Sequence, residues 1–147
     1  MGRLVALDIG RKRTGVAATD LLQIVPNGLG FQPTHEVAQW LKEYAEKEPI
    51  DLIVVGEPKQ TDGTDSESVK YIEPVVNRLR KLLPTVEVVR FDERFTTVLA
   101  QRAMIDAGLG KMKRREKGIA DEVSAVIILQ GFMESRIYQE KYKKKKK

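Results

Sequence analysis

Cysteine is absent from the 147 residues, and histidine occurs once, as His35. Without thiols there is no disulfide, no thiolate nucleophile and no zinc site built on cysteine. No apolar run of about 18 residues occurs, so no membrane-spanning helix is expected. The opening MGRLVALDIG has neither the layout of a signal peptide nor a myristoylation pattern. A cytoplasmic protein with no membrane partner is the resulting expectation. No Gly-x-Ser-x-Gly elbow is present from which a serine hydrolase could use His35. That histidine reads as a surface residue at the start of a helix. The Gly-x-x-x-x-Gly-Lys-Ser/Thr phosphate loop is missing as well.

What is present has the balance of a folded domain. An apolar content of 41% excludes wholesale disorder, and the length suits one compact unit. The formal charge of +5 is unevenly placed. Residues 136–147 carry seven basic side chains and one acid, which leaves 19 basic against 20 acidic for residues 1–135. A balanced body argues against a groove-wide electrostatic footprint. Three local basic clusters stand out instead: Arg11-Lys12-Arg13, the stretch Lys111 to Lys117, and the C-terminal lysine run. That run repeats one charge too densely to pack. The expectation is a domain over residues 1–138 and a disordered arm over 139–147.

Residues 3–9 form a short apolar run ended by Gly10 and predict a buried strand. Strands are also predicted over 14–19 and 22–31, the second interrupted by Pro26 and therefore assigned to a sheet edge. Short links between these three imply an antiparallel meander. Thr34 offers an N-cap for a helix that runs to Pro49. The run Asp51–Gly56 predicts a central strand, followed by a polar loop over 59–66. A helical stripe from Val69 to Leu82 contains Pro74, which predicts a kink or a helix in two pieces. A strand over 86–91, a helix over 95–107 stopped by Gly108, a basic loop over 108–118 and an apolar helix over 119–137 complete the pattern. Three strands followed by alternating helices and strands define an α/β domain with a mixed sheet.

Four acids fall at informative places. Asp8 shares a strand face with Leu4 and Ala6. It is either a turn aspartate bonded to amides around Gly10 or a metal or phosphate-site ligand. Glu57 and Asp92 directly follow the strands 51–56 and 86–91. If those strands run parallel to the first, all three carboxylates emerge at one sheet edge, where ligands bind in this architecture. Asp121 shares a helix face with Ala125, Ile128 and Phe132, while Glu122 falls on another. Asp121 is thus a fourth candidate site acid, and both acids are alternatively first-turn residues favourable to the helix dipole. Such hard oxygen donors suit Mg²⁺ or Mn²⁺, and two such ions would serve phosphodiester hydrolysis.

Four segments in this order resemble the YqgF (RuvX-like) family. They are Asp8-Ile9-Gly10 through Arg13-Thr14-Gly15, Val55-Gly56-Glu57-Pro58 with Asp62-Gly63, Asp92-Glu93-Arg94 with Thr96-Thr97, and Asp121 ahead of Ser124 to Gln130. The match spans residues 3 to about 136. The resemblance implies a ribonuclease-H-like fold, a five-stranded mixed sheet with flanking helices. It also implies a bacterial endonuclease in 5′-end maturation of precursor 16S ribosomal RNA, with Holliday-junction resolvase as an older label.

Asp8, Asp92 and Asp121 correspond to the family's acidic positions and are the expected ligands of Mg²⁺ or Mn²⁺. Glu57 departs from the family, which commonly has leucine there. It is either a fourth catalytic acid, as fold relatives place a glutamate on this strand, or a solvated turn residue. Gln60 likewise replaces a frequent asparagine. Arg94 is expected to contact phosphate. Arg11, Lys12, Lys111, Lys113, Arg114, Arg115 and Lys117 are expected to neutralise the backbone of structured RNA or branched DNA. A monomer or weak homodimer is expected. Two other classes remain open at this point. One is an actin-like-fold ATPase using the turn of Asp8, Gly10 and Gly15. The other is a non-catalytic RNA-binding factor.

Overall fold

The apolar run Arg3–Ile9 forms strand β1, and its side chains divide by parity between two cores. Val5, Leu7 and Ile9 belong to one cluster, Leu4 and Ala6 to the other, and all five are buried. A strand buried on both faces belongs at the centre of a covered sheet. The computed structural model describes residues 2–57, 69–92 and 117–135, the side chains at 69, 92 and 117–123 excepted. It places β1 in the middle of five strands. The others are β2 (Arg13–Thr19), β3 (Pro26–Pro33), β4 (Ile50–Glu57) and β5 (Glu87–Asp92), in the order β3-β2-β1-β4-β5. β1 pairs antiparallel with β2 and β2 antiparallel with β3, while β4 runs parallel to both β1 and β5. The mixed sheet expected from the sequence is therefore observed, and its fold class is ribonuclease-H-like.

Helices cover both faces. Helix α1 (Val37–Lys47) and helix α2 (Val69–Leu82) bring Val37, Ala38, Leu41, Ile72, Val76 and Leu79 against Val5, Leu7, Val16, Ile53 and Val55. Helix α3 (Lys117–Glu134) lays Ala125, Ile128, Leu129 and Phe132 on Leu4, Ala6, Ala17, Leu52, Val54 and Phe91. Phe132 meets Phe91 edge to face, with ring centroids 5.9 Å apart. Truncating such a fully buried aromatic side chain costs about 3–5 kcal/mol. No helix among the described residues is long and apolar enough to cross a membrane.

Several boundaries differ from those read in the sequence. β3 starts at Pro26, not Leu22, because Asp20 closes a turn there. Its Oδ1 accepts the amides of Ile24 and Val25, both at 2.8 Å, and its Oδ2 that of Leu22 at 3.2 Å. Gln23 adopts φ 58° in this turn, and its Nε2 donates to Gly2 O and Asp51 Oδ2. The proline-bearing strand does lie at the sheet edge. Thr34 does not cap α1; Glu36 holds that position, without a side-chain cap. Pro74 lies within one continuous helix rather than dividing it. α3 begins two residues before Ile119 and ends at Glu134, short of Ile137. The expected helix over 95–107, the loop over 59–66 and the arm over 139–147 lie outside the described residues, as does most of the basic loop over 108–118.

Candidate active site

Parallel strands send their carboxyl ends to one edge, and here three of them end in or beside acids. Asp8 is the penultimate residue of β1, Glu57 the last of β4, and Asp92 the last of β5, in register with Glu57. Both Glu57 and Asp92 thus end their strands rather than following them. Asp8 continues the parity of Leu4 and Ala6 and so faces the layer of α3. Asp121 is the fifth residue of that helix, at helical spacing from the buried Ala125, Ile128 and Phe132.

Glu57 continues the parity of Ile53 and Val55 and faces the α2 layer instead. There its Oε1 lies 3.4 Å from Arg90 Nη2, and Arg90 Nη1 lies 2.8 Å from Glu73 Oε1. The structure therefore brings Asp8, Glu57 and Asp92 to one edge, with Asp8 on the α3 side of the sheet and the paired positions Glu57 and Asp92 on the α2 side.

The turn after Asp8 is held tightly. Gly10 donates to Arg13 O at 2.9 Å, and a Cβ on Gly10 would lie 2.7 Å from that same oxygen. Only glycine fits. Thr34 ties the turn to the start of the α1 layer: its amide donates to Lys12 O, its Oγ1 donates to Gly10 O at 2.6 Å, and its hydroxyl also bonds that of Thr14 at 2.9 Å. This positioning role is hidden in the sequence, where a threonine ahead of a helix has the look of a cap. Arg90 escapes sequence reasoning as well, because nothing in its strand pattern announces two carboxylate partners.

Arg11 and Lys12, exposed at the turn's tip, open onto a groove of about 500 Å³ lined also by Thr34, His35, Lys70 and Tyr71. A second hollow of about 430 Å³ shares Thr34, His35, Pro74 and Val75 and reaches Arg78 and Lys81. Among the described residues no acid lines either one. His35 is 82% exposed, in keeping with a surface residue near a helix start. Arg94, Lys111, Lys113, Arg114 and Arg115 lie outside the described residues, and Lys117 opens α3.

Among the described residues no three histidine, aspartate or glutamate side chains gather into a metal-holding group. The residue types nevertheless fit a hard divalent cation: three strands end in or beside an acid, α3 bears Asp121, and the chain has no cysteine.

A mixed sheet of this order, helix-covered on both faces and with acids at the carboxyl edge, is that of a ribonuclease-H-like protein. Among solved structures, Thermus thermophilus RuvC in complex with a Holliday junction substrate shares the fold. The TM-score is 0.57 at 12% identity, covering 90% of this chain and 94% of that one. A model of the RuvX family, described as Holliday junction resolvase, matches residues 2–135. A relative from Parabacteroides distasonis is 52% identical over 139 residues, covering 95% of this chain and 99% of its own. Another from Phocaeicola vulgatus is 51% identical over 138 residues, covering 94% and 99%. Both carry the name "Putative pre-16S rRNA nuclease". The chain belongs to the RuvX family and is a nuclease by class.

Proposed function

We propose that this protein is a divalent-metal-dependent endonuclease that hydrolyses phosphodiesters in 5′-end maturation of precursor 16S ribosomal RNA, in the cytoplasm. The observation that carries the reading is the place of Asp8, at the carboxyl end of β1 on the face of α3, the helix that bears Asp121. The shared name of the closely similar relatives supports the choice of RNA.

Asp8, Asp92 and Asp121 would hold Mg²⁺ or Mn²⁺, which when bound activates water and stabilises the leaving oxygen. Glu57 is the candidate fourth acid at the same edge, with Arg90 as its partner. Arg11 and Lys12 receive the substrate backbone at the acid-bearing edge. Arg94, Lys111, Lys113, Arg114 and Arg115, from the segment between β5 and α3, and Lys117, at the start of α3, add phosphate contacts. Contacts of this kind confer affinity without base preference. The domain over residues 1–138 acts as a monomer or weak homodimer, with the lysine-rich arm over 139–147 as an accessory phosphate contact.

The test is incubation with precursor 16S RNA and Mn²⁺ beside Asp8→Asn. Cleavage by the wild type and not by the variant is the expected result, and cleavage unaffected by the substitution would sink the assignment. The family description favours a second reading, cleavage of branched DNA. A four-way DNA junction in a parallel reaction decides between them.

A further inference from the structure

Phe31 lies on the edge strand β3 and is 43% exposed, although it is one of only four phenylalanines in the chain. Its register is informative. Asp8 of β1 pairs with Gly15 of β2, and Gly15 pairs with Phe31. Residues paired across adjacent strands share a sheet face. Asp8, Gly15 and Phe31 therefore form one row on the α3 face, with Phe31 two strand spacings, about 10 Å, from the carboxylate-bearing position. Gly15 adds no side chain between them.

A bulge creates this row. Between Gly15 and Ala17 the register shifts, so that Val16 faces two residues, Leu29 and Gly30. Gly30 takes φ 88°, a backbone conformation that glycine adopts without strain. Without the extra residue, Phe31 would pair with Thr14 and turn to the opposite face, because a one-residue slip inverts every side chain beyond it. Bulges beside functional sites re-aim side chains in this way. The guanidinium of Arg13 lies over the ring, 5.6 Å from its centroid, and sets a positive charge beside the exposed aromatic surface.

We propose that Phe31, flanked by Arg13, is a stacking platform for one unpaired nucleobase of the substrate strand, next to the phosphate handled at Asp8. An exposed aromatic ring beside an arginine is the pairing that receives single-stranded nucleic acid: the ring takes the base and the cation the neighbouring phosphate. The inference rests on the nuclease reading above and adds that the substrate is unpaired beside the cut.

The experiment measures binding of an unpaired RNA oligonucleotide and of an RNA duplex to Asp8→Asn protein, with and without Phe31→Ala or Phe31→Trp. Phe31→Ala is expected to weaken binding of unpaired RNA about 5- to 140-fold, the range that loss of one stacked base gives. Duplex affinity and the salt dependence stay as they were, and Phe31→Trp restores the unpaired-strand affinity. Equal loss for both RNAs, no loss for either, or a change in oligomeric state overturns the platform. If the wild type cleaves precursor RNA while Phe31→Ala binds unpaired strand normally, the platform fails and the nuclease stands. If the wild type neither binds nor cleaves RNA, the nuclease reading fails and takes the platform with it.

Discussion

Arg90 Nη2 lies 3.4 Å from Glu57 Oε1, so the last residue of β4 meets a cation on the α2 face while Asp8 occupies the α3 face. A carboxylate paired with a guanidinium is less available to a metal ion. Glu57→Leu should therefore lower cleavage less than Asp8→Asn or Asp121→Asn. Rates measured side by side on one RNA decide it, and a loss as large as that of Asp8→Asn would make Glu57 an essential ligand.

The same pair has a cost in stability. Arg90 Nε is buried with no hydrogen-bond partner among the described residues, and the Glu57 side chain is only 14% exposed. Arg90→Met should destabilise the fold by about 1–3 kcal/mol, because it leaves a nearly buried carboxylate without its donor. Adding Glu57→Leu should recover most of that loss, with a coupling of about 0.5–3 kcal/mol in a double-mutant cycle. Urea unfolding of the four proteins measures it; strict additivity would mean the 3.4 Å approach is energetically empty.

Asp8→Asn should reduce cleavage at least about 100-fold, the lower end of what a positioned catalytic group supplies. Its melting temperature should stay level or rise if acids sharing a metal site repel one another without the metal. A severe drop in melting temperature would instead identify Asp8 as a structural turn residue.

Much of this arrangement is legible in the chain. Parity along 3–9 already separates Asp8 from Ile9, and the runs 51–56 and 86–91 announce strands followed by acids, whose parallel direction the sheet then supplies. The face of Glu57 can be counted from Ile53 and Val55, but its guanidinium partner is distant in sequence and has no local signature. Thr34 reads as a cap because capping and cross-turn hydrogen bonding use the same hydroxyl, and only the β2–β3 pairing brings Gly10 and Thr14 to it. Phe31 falls in the segment that Pro26 assigns to a sheet edge, yet its face depends on the Gly30 bulge, which period-two reasoning cannot foresee.

The Asp20 turn predicts a pH response. Amides of Val25 and Ile24, in that order of effect, favour the charged carboxylate and hold its pKa below the ordinary 3.8. A group depressed on folding contributes its stabilisation fully above the unfolded value and loses it as pH falls through the folded one. The turn should therefore loosen only below about pH 3.8, seen as shifts of the Leu22, Ile24 and Val25 amide resonances. In Asp20→Asn those shifts should vanish; their persistence would assign the response to another acid.

The basic hollow between α1 and α2 predicts a salt effect. Every phosphate that a cation ceases to neutralise takes about 0.7 to 0.9 from the slope of log affinity against log salt. Arg78 and Lys81 line the hollow on helix α2, which carries no candidate metal ligand. Replacing both with glutamine should flatten the slope by about 1.4 to 1.8 if RNA runs along this face. Turnover at saturating RNA should hold, since no acid at the strand ends is touched. Truncation after Ile137, which removes six lysines, gives the comparison. A flattened slope from truncation alone would route the backbone past the arm, and an unchanged slope in both would mean these cations stay with solvent.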